Sequence, residues 1–215
     1  MSLLITGFGR FMGGPNCSEI LLSALAAERA GLEEIWAAPV ALELLPVDVE
    51  AAPPALARAL QVARPTHVLL MGQAGGRDAI CLERVARNLI DLRVPDAAGR
   101  LGPIGPIDPG GPEQRLSTWP DLDGAISAAR AEGVRAELSD RAGAHLCNQM
   151  LYLALGAAEQ APERPFVATF LHLPLLPEQI AAGVPAAQDA PASIPLDDMM
   201  RAARAILRHT REAAV

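Results

Sequence analysis

The stretch His67-Val68-Leu69-Leu70-Met71 decides how this chain is read. It is a short, unbroken apolar run behind a single histidine, the pattern of a strand buried on both faces. Working outward, Leu3 to Thr6 is a second such run and ends in Gly7, and Ser18 to Ala30 carries Leu21, Leu22 and Leu25 on one helical face. Ile35 to Leu42 predicts another strand. Val49 to Ala63 predicts a helix whose Pro53-Pro54 pair suits only its first turn. Further along, Asp121 to Glu132 reads as helix, Val134 to Leu138 as extended, Asn148 to Ala161 as helix and Phe166 to Leu171 as extended. A last helix over about Leu196 to Arg211 lines up Leu196, Met199, Met200, Ala203, Ile206 and Leu207. Residues 78–94 fit both helix and strand, and 95–120 and 181–195 read as Pro/Gly/Ala-rich connections. Strands alternating with helices predict a single α/β domain over residues 1–215, with a mainly parallel twisted sheet covered on both faces. Such sheets place binding sites at the C-terminal ends of their strands.

Composition narrows the function. The chain is 51% hydrophobic but only 3% aromatic, so Ala, Leu, Val and Ile build the core and each aromatic ring is worth locating. A net charge of −7 argues against nucleic acid or an anionic membrane as partner, because both demand a basic surface. The N-terminal Met-Ser-Leu-Leu-Ile-Thr-Gly has neither the basic region nor the long apolar region of a signal peptide, and no stretch approaches a membrane span. Three cysteines without Cys-x-x-Cys spacing point away from a disulfide framework and from zinc, and toward the reducing cytoplasm.

Residues 143–149, Gly-Ala-His-Leu-Cys-Asn-Gln, hold the most reactive candidate atom. Cys147 stands where a polar turn gives way to an apolar helix bearing Met150, Leu151, Ala154, Leu155 and Ala158 on one face. A helix N-terminus stabilises a thiolate, which predicts a thiol pKa below its ordinary ~8.5. A small buried hydrophobe is the alternative reading. Among the four histidines, His67 opens a strand and His209 closes a helix, both ordinary structural places, whereas His172 ends the strand Phe166 to Leu171. His145 is close to Cys147, but alternation turns the two side chains apart and makes it a pocket-lining residue. A carboxylate that orients the histidine would complete a Cys/His pair. Glu83, inside Cys81-Leu82-Glu83-Arg84-Val85, is the candidate, with a surface ion pair to Arg84 or Arg87 as the alternative. The loop from Thr6 to Asn16 is glycine-rich, but its third glycine arrives one residue late for a dinucleotide site. Phe8 and Phe11 in that loop fit either a flat apolar slot or a cap on the core.

Together these motifs resemble the pyroglutamyl peptidase I family, also called pyrrolidone-carboxylate peptidases, over nearly the whole chain. Four blocks carry the resemblance: Thr6-Gly7-Phe8 with Phe11, Gly13-Gly14, Asn16 and Ser18; residues 72–96, GQAGGRDAICLERVARNLIDLRVPD; residues 142–148, AGAHLCN; and residues 170–179, FLHLPLLPEQ. The resemblance implies a three-layer α/β/α sandwich and a cytosolic cysteine peptidase that removes an N-terminal pyroglutamyl residue from peptides or amides. It implies Glu83, Cys147 and His172 as the catalytic set. It places Phe8, Phe11, Asn16, Gln73 and His145 at the substrate pocket and Arg93 near it, with no metal or cofactor, and with assembly as a homotetramer or homodimer. The chain departs from the family pattern at Gly9 and Arg10, at Cys17 in place of a proline, and at His145 in place of an aromatic residue.

Overall fold

The structure, a computed structural model, describes residues 1–185 and 192–213; residues 186–191 of the predicted 181–195 connection lie outside the described residues. Its centre is a six-stranded sheet. Strands β1 (Leu3–Phe8), β2 (Val40–Leu45), β3 (His67–Gln73) and β10 (Val167–Leu173) pair in parallel, in the order β2-β1-β3-β10. Next to β10 lies β4 (Ile80–Glu83), antiparallel to it, and β9 (Ala136–Ser139) closes that edge parallel to β4. Four strands of the sheet thus run one way, and β4 and β9 run the other.

Helices cover both faces. On one side lie α1 (Cys17–Ala27), α2 (Arg29–Trp36), α4 (Leu122–Ala131) and α7 (Leu196–Ala213), which bring Leu21, Leu25, Leu32, Ile126, Met199 and Ile206 onto Ile5, Leu69 and Leu171. On the other lie α3 (Ala52–Ala63) and α5 (Leu146–Gln160), whose Leu56, Met150, Leu151 and Leu155 pack on Leu4, Val68, Leu70 and Phe170. Adjacent strand residues feed opposite layers, which is why these strands are apolar at every position. Each fully buried leucine contributes about 1.5–3 kcal/mol, so Leu25→Ala removes a substantial share of the stability of a domain this size.

Two expectations change. Ile35 and Trp36 belong to α2: Leu32 and Trp36, four residues apart, form its buried stripe, and Ala37 in the left-handed region stops the helix before β2 begins at Val40. Residues 78–94 resolve into strands, with β4 followed by β5 (Val85–Arg87) and β6 (Ile90–Asp91). These last two pair antiparallel with β8 (Gln114–Leu116) and β7 (Ile104–Gly105), so the predicted 95–120 connection is partly folded back as two small ribbons.

Candidate active site

The carboxyl ends of the central strands converge with the N-termini of α1 and α5. In the antiparallel pair of β4 and β10, Glu83 lies opposite Phe170 and Cys81 opposite His172, so Glu83 and His172 are diagonal neighbours on one face. His172 Nδ1 lies 2.7 Å from Glu83 Oε1. A carboxylate can only accept, so Nδ1 carries the proton and Nε2 keeps a lone pair. Glu83 is fully buried. Burial by itself would raise its pKa, but the hydrogen bond and charge of His172, with the Ser139 hydroxyl and the Arg77 guanidinium, hold the carboxyl below its ordinary value. Neither Arg84 nor Arg87 is its partner: Arg84 makes a bidentate pair with Asp140 at the surface, and Arg77 Nη2 reaches Glu83 Oε1 at 2.9 Å.

Cys147 is the second residue of α5, with His145 as the N-cap. Its sulfur rests on the backbone of β3. A Cβ added to Gly72 would stand 2.9 Å from Cys147 Sγ and 2.7 Å from Phe170 Cζ. Gly72 is paired in register with His172 on the neighbouring strand. The thiol therefore occupies the space beside the imidazole that a side chain at position 72 would take. The helix start is where expected, yet the predicted fall in thiol pKa is not found. Burial pushes the Cys147 thiol up to about 12, the Glu83 charge adds to this, and the cysteine's own backbone N–H opposes it only in part. Desolvation outweighs the helix terminus, so the sulfur is held as a thiol and needs a base.

A cavity of about 310 Å³ opens over this thiol, lined by Phe8, Phe11, Met12, Asn16, Val47, Gln73, Val94, Ala142, His145, Leu146, Cys147 and His172. Its wall is set by local chemistry. Ser18 Oγ accepts the Phe8 N–H at 3.0 Å and so ties β1 to the start of α1. Phe11 and Gly14 exchange two backbone hydrogen bonds of 3.1 Å, closing a turn whose central Met12 and Gly13 both have positive φ. Asn16 caps α1, with Oδ1 accepting from Ser18 N and Ser18 Oγ. Gln73 Oε1 accepts from Cys17 N at 3.1 Å and from Gln179 Nε2 at 2.8 Å. Both amides thus spend their oxygens on the protein, and among the described residues neither Asn16 Nδ2 nor Gln73 Nε2 has a protein acceptor.

Arg93 is the exception among the expected residues. It does not line the cavity: its side chain is 78% exposed and its Nε donates to Asp91 at 3.0 Å. Two residues after a short edge strand, it points to solvent while its neighbour Val94 faces the cavity.

Several supporting residues were not singled out in the sequence. Arg77 binds Glu83, Ser139 Oγ and the Arg141 carbonyl together. Asn148 pins the first turn of α5 through Arg87 N, Arg87 O and Leu89 O, each at 2.8 Å. Gln179, on the short helix α6 (Pro177–Ala181), accepts from Leu176 N and donates to Pro15 O and Gln73. Gly72 had a readable signal, a glycine interrupting an apolar strand. A larger cavity, about 570 Å³, opens near the start of β3 among Arg64, Thr66, Ala157 and Phe166, and holds neither cysteine nor histidine. Among the described residues no cluster of three or more His, Cys, Asp or Glu could hold a metal ion, and no helix is long and apolar enough to cross a membrane.

A pyroglutamyl peptidase family model matches residues 1–212. The pyrrolidone-carboxylate peptidase of Gloeobacter violaceus is 39% identical over 180 residues, covering 83% of this chain and 84% of that protein. That of Chromobacterium violaceum is 38% identical over 94% of this chain and 89% of its own length. Among solved structures, a mutant pyrrolidone carboxyl peptidase from the hyperthermophile Pyrococcus furiosus superposes with a TM-score of 0.89 at 31% identity, covering 100% of both chains. Pyroglutamyl peptidase I of Bacillus amyloliquefaciens superposes with a TM-score of 0.84 at 28% identity, covering 98% of this chain and 97% of the other.

Proposed function

The chain belongs to the pyroglutamyl peptidase family of cysteine peptidases, and on that premise we propose that it removes N-terminal pyroglutamyl residues from peptides or amides, using Cys147, His172 and Glu83. The observation that carries the assignment is the stacking of three groups at one cavity: Glu83 on His172 Nδ1, and the Cys147 thiol in the Gly72 notch beside the same imidazole.

His172 Nε2 takes the proton of Cys147, and the sulfur attacks the carbonyl carbon that joins pyroglutamate to the next residue. The imidazolium formed is stabilised by the Glu83 carboxylate, whose charge is secured by Arg77. The negative oxygen of the tetrahedral intermediate falls to first-turn N–H groups of α5, including that of Cys147, which have no partner within the helix. Collapse breaks the carbon–nitrogen bond, and His172 gives its proton to the departing amine, leaving a thioester. Water, deprotonated by His172, attacks the thioester, releases pyroglutamate and restores the thiol.

Substrate recognition follows from the wall. A pyroglutamyl group has no free ammonium, and no Asp or Glu lines the cavity to receive one. Phe8 and Phe11 offer flat apolar surface to the ring, and Gln73 Nε2 and Asn16 Nδ2 are donors for its carbonyl. Cytoplasmic residence fits three free cysteines. Assembly into a dimer or tetramer fits the exposed Ile104 and Leu116 on the two ribbons, with Leu101 exposed in the loop before β7.

The test is hydrolysis of a pyroglutamyl fluorogenic amide against alanyl and leucyl amides under reducing conditions, with Cys147→Ala as blank. Turnover restricted to the pyroglutamyl substrate, and lowered by at least ~10⁴-fold in the variant, is expected. Turnover that survives in Cys147→Ala refutes the nucleophile, and equal rates on the three amides refute the specificity.

A further inference from the structure

We infer that Met12 is a specificity-determining residue: held in a left-handed backbone conformation, it sets its thioether against the ring methylenes of the acyl group and limits the cavity to a five-membered lactam. The role deepens the function proposed above and rests on it.

Among the described residues, four that are not glycine have positive φ: Met12, Ala37, Arg64 and Asp121. Three of them serve a helix end. Ala37 and Arg64 are the C-caps of α2 and α3, and Asp121 is the N-cap of α4, with its carboxylate on Gly124 N. Met12, at φ 50°, caps no helix. It is the first central residue of the turn closed by Phe11 and Gly14, where both central positions take positive φ and Gly, Asn or Asp fits best. A long L side chain in that place carries backbone strain. The turn is held from behind as well, because Gly14 is buried so close to Val184 that a Cβ there would stand 3.2 Å from Val184 Cγ1. The strain is built in, and what it fixes is the direction of the Met12 side chain.

That direction puts it between two spaces. Met12 lines the cavity over Cys147, and it also lines an outer cleft of about 360 Å³ that reaches Arg10, Asp96 and Gly99. Phe11 and Met12 are the two residues common to both linings, so the turn is a thin partition between them. With the polar edge of the lactam turned to the free amide donors of Asn16 and Gln73, its ring methylenes face the apolar part of the lining, to which Met12 belongs. Met12 is 40% exposed, so its unbranched thioether has the protein on one side only. Such a side chain follows the outline of a small flat ring. A ring with one more methylene has to push it into the cleft. Removing the side chain joins cavity and cleft, and the larger ring then has room.

The experiment compares two fluorogenic amides, the pyroglutamyl substrate and its six-membered lactam homologue, on wild type, Met12→Gly, Met12→Ala and Met12→Leu, with denaturant unfolding measured on each protein. Wild type is expected to favour the five-membered ring by roughly tenfold or more in kcat/KM, the scale on which an apolar pocket resolves one methylene. Met12→Gly and Met12→Ala should both bring that ratio toward one, and Met12→Leu should keep it. Stability separates this role from a merely structural one. Met12→Gly relieves the strained φ and should unfold at a denaturant concentration equal to or above that of wild type, whereas Met12→Ala keeps the strain and should not gain, yet both lose the discrimination alike. A ratio unchanged in Met12→Gly overturns the assignment while leaving the proposed function intact, and so does a wild type that turns over both rings equally. Discrimination lost only in a variant that is also destabilised overturns it too. A wild type inactive on the pyroglutamyl amide removes the proposed function and this role with it.

Discussion

Two buried histidines stand on neighbouring strands of the same sheet at opposite ends. His67 opens β3 and His172 lies near the end of β10. His67 is enclosed by two indoles, edge-on to Trp36 at 5.0 Å and to Trp119 at 5.5 Å, with its Nδ1 3.0 Å from the Thr66 hydroxyl. Desolvation, with the N-terminal amine and Arg211 nearby, pushes its pKa down to about 4. His172 instead has a carboxylate at 2.7 Å and a thiol-lined cavity in front of it. What separates His67 from His172, the proposed base, is the partner on Nδ1 and the end of the strand. At the carboxyl end, helix N-termini and loops meet around open space; at the other end, bulky rings fill it.

Removing the partner should erase most of that difference. Glu83→Gln is expected to lower kcat by about a thousandfold to ten-thousandfold with a much smaller change in KM, because the imidazole loses the group that fixes its tautomer and stabilises its cation. Steady-state kinetics on the pyroglutamyl amide measures it, and a loss confined to KM would contradict the assigned role. Gly72→Ala asks whether the notch beside His172 matters. Its methyl would meet both Cys147 Sγ and Phe170, and displacing the sulfur by a few tenths of an ångström to one ångström should cost about a hundredfold in kcat. Normal activity in a correctly folded Gly72→Ala would show that the thiol works from another position.

His67 makes a prediction about stability in place of rate. A histidine whose folded pKa is depressed leaves the protein fully stabilised above the unfolded value of ~6.5, and that contribution is lost as pH falls toward 4. The loss is about 3 kcal/mol. His67→Phe should flatten the stability profile between pH 6.5 and 4, measured by denaturant titration, while kcat at neutral pH stays within about twofold. The carboxylates Glu83 and Asp96, held below their ordinary pKa values, add acid lability only at lower pH. Smallest of all is Arg93→Ala. An exposed ion pair with Asp91 is worth about 0–1 kcal/mol, so kcat/KM should change by less than about fivefold. A larger loss would mean that Arg93 swings inward when substrate binds.

Much of the molecule was legible in the chain because burial writes itself into composition. The apolar runs that became β1, β3 and β10 lie between two helical layers, and each of their residues has a core to enter. The stripes on α5 and α7 were readable for the same reason. Ile35-Trp36 misled because an apolar pair at the end of an amphipathic helix looks like the start of a strand when the strand follows three residues later. The segment 78–94 stayed ambiguous because β5 and β6 pair only with the small ribbons, where one face is open to water and charges are tolerated.

The sequence by itself determined the layer architecture, the helix start beneath Cys147 and the identity of the groups able to do acid–base and thiol chemistry, since hydrophobic spacing and side-chain chemistry are local properties. Only the tertiary structure decided who meets whom. It put Arg77 rather than Arg84 or Arg87 on Glu83, turned Arg93 to solvent, and set Gly72 beneath the sulfur. It also reversed the expected direction of the Cys147 pKa, because desolvation depends on every layer packed around a group, and no stretch of chain carries that quantity on its own.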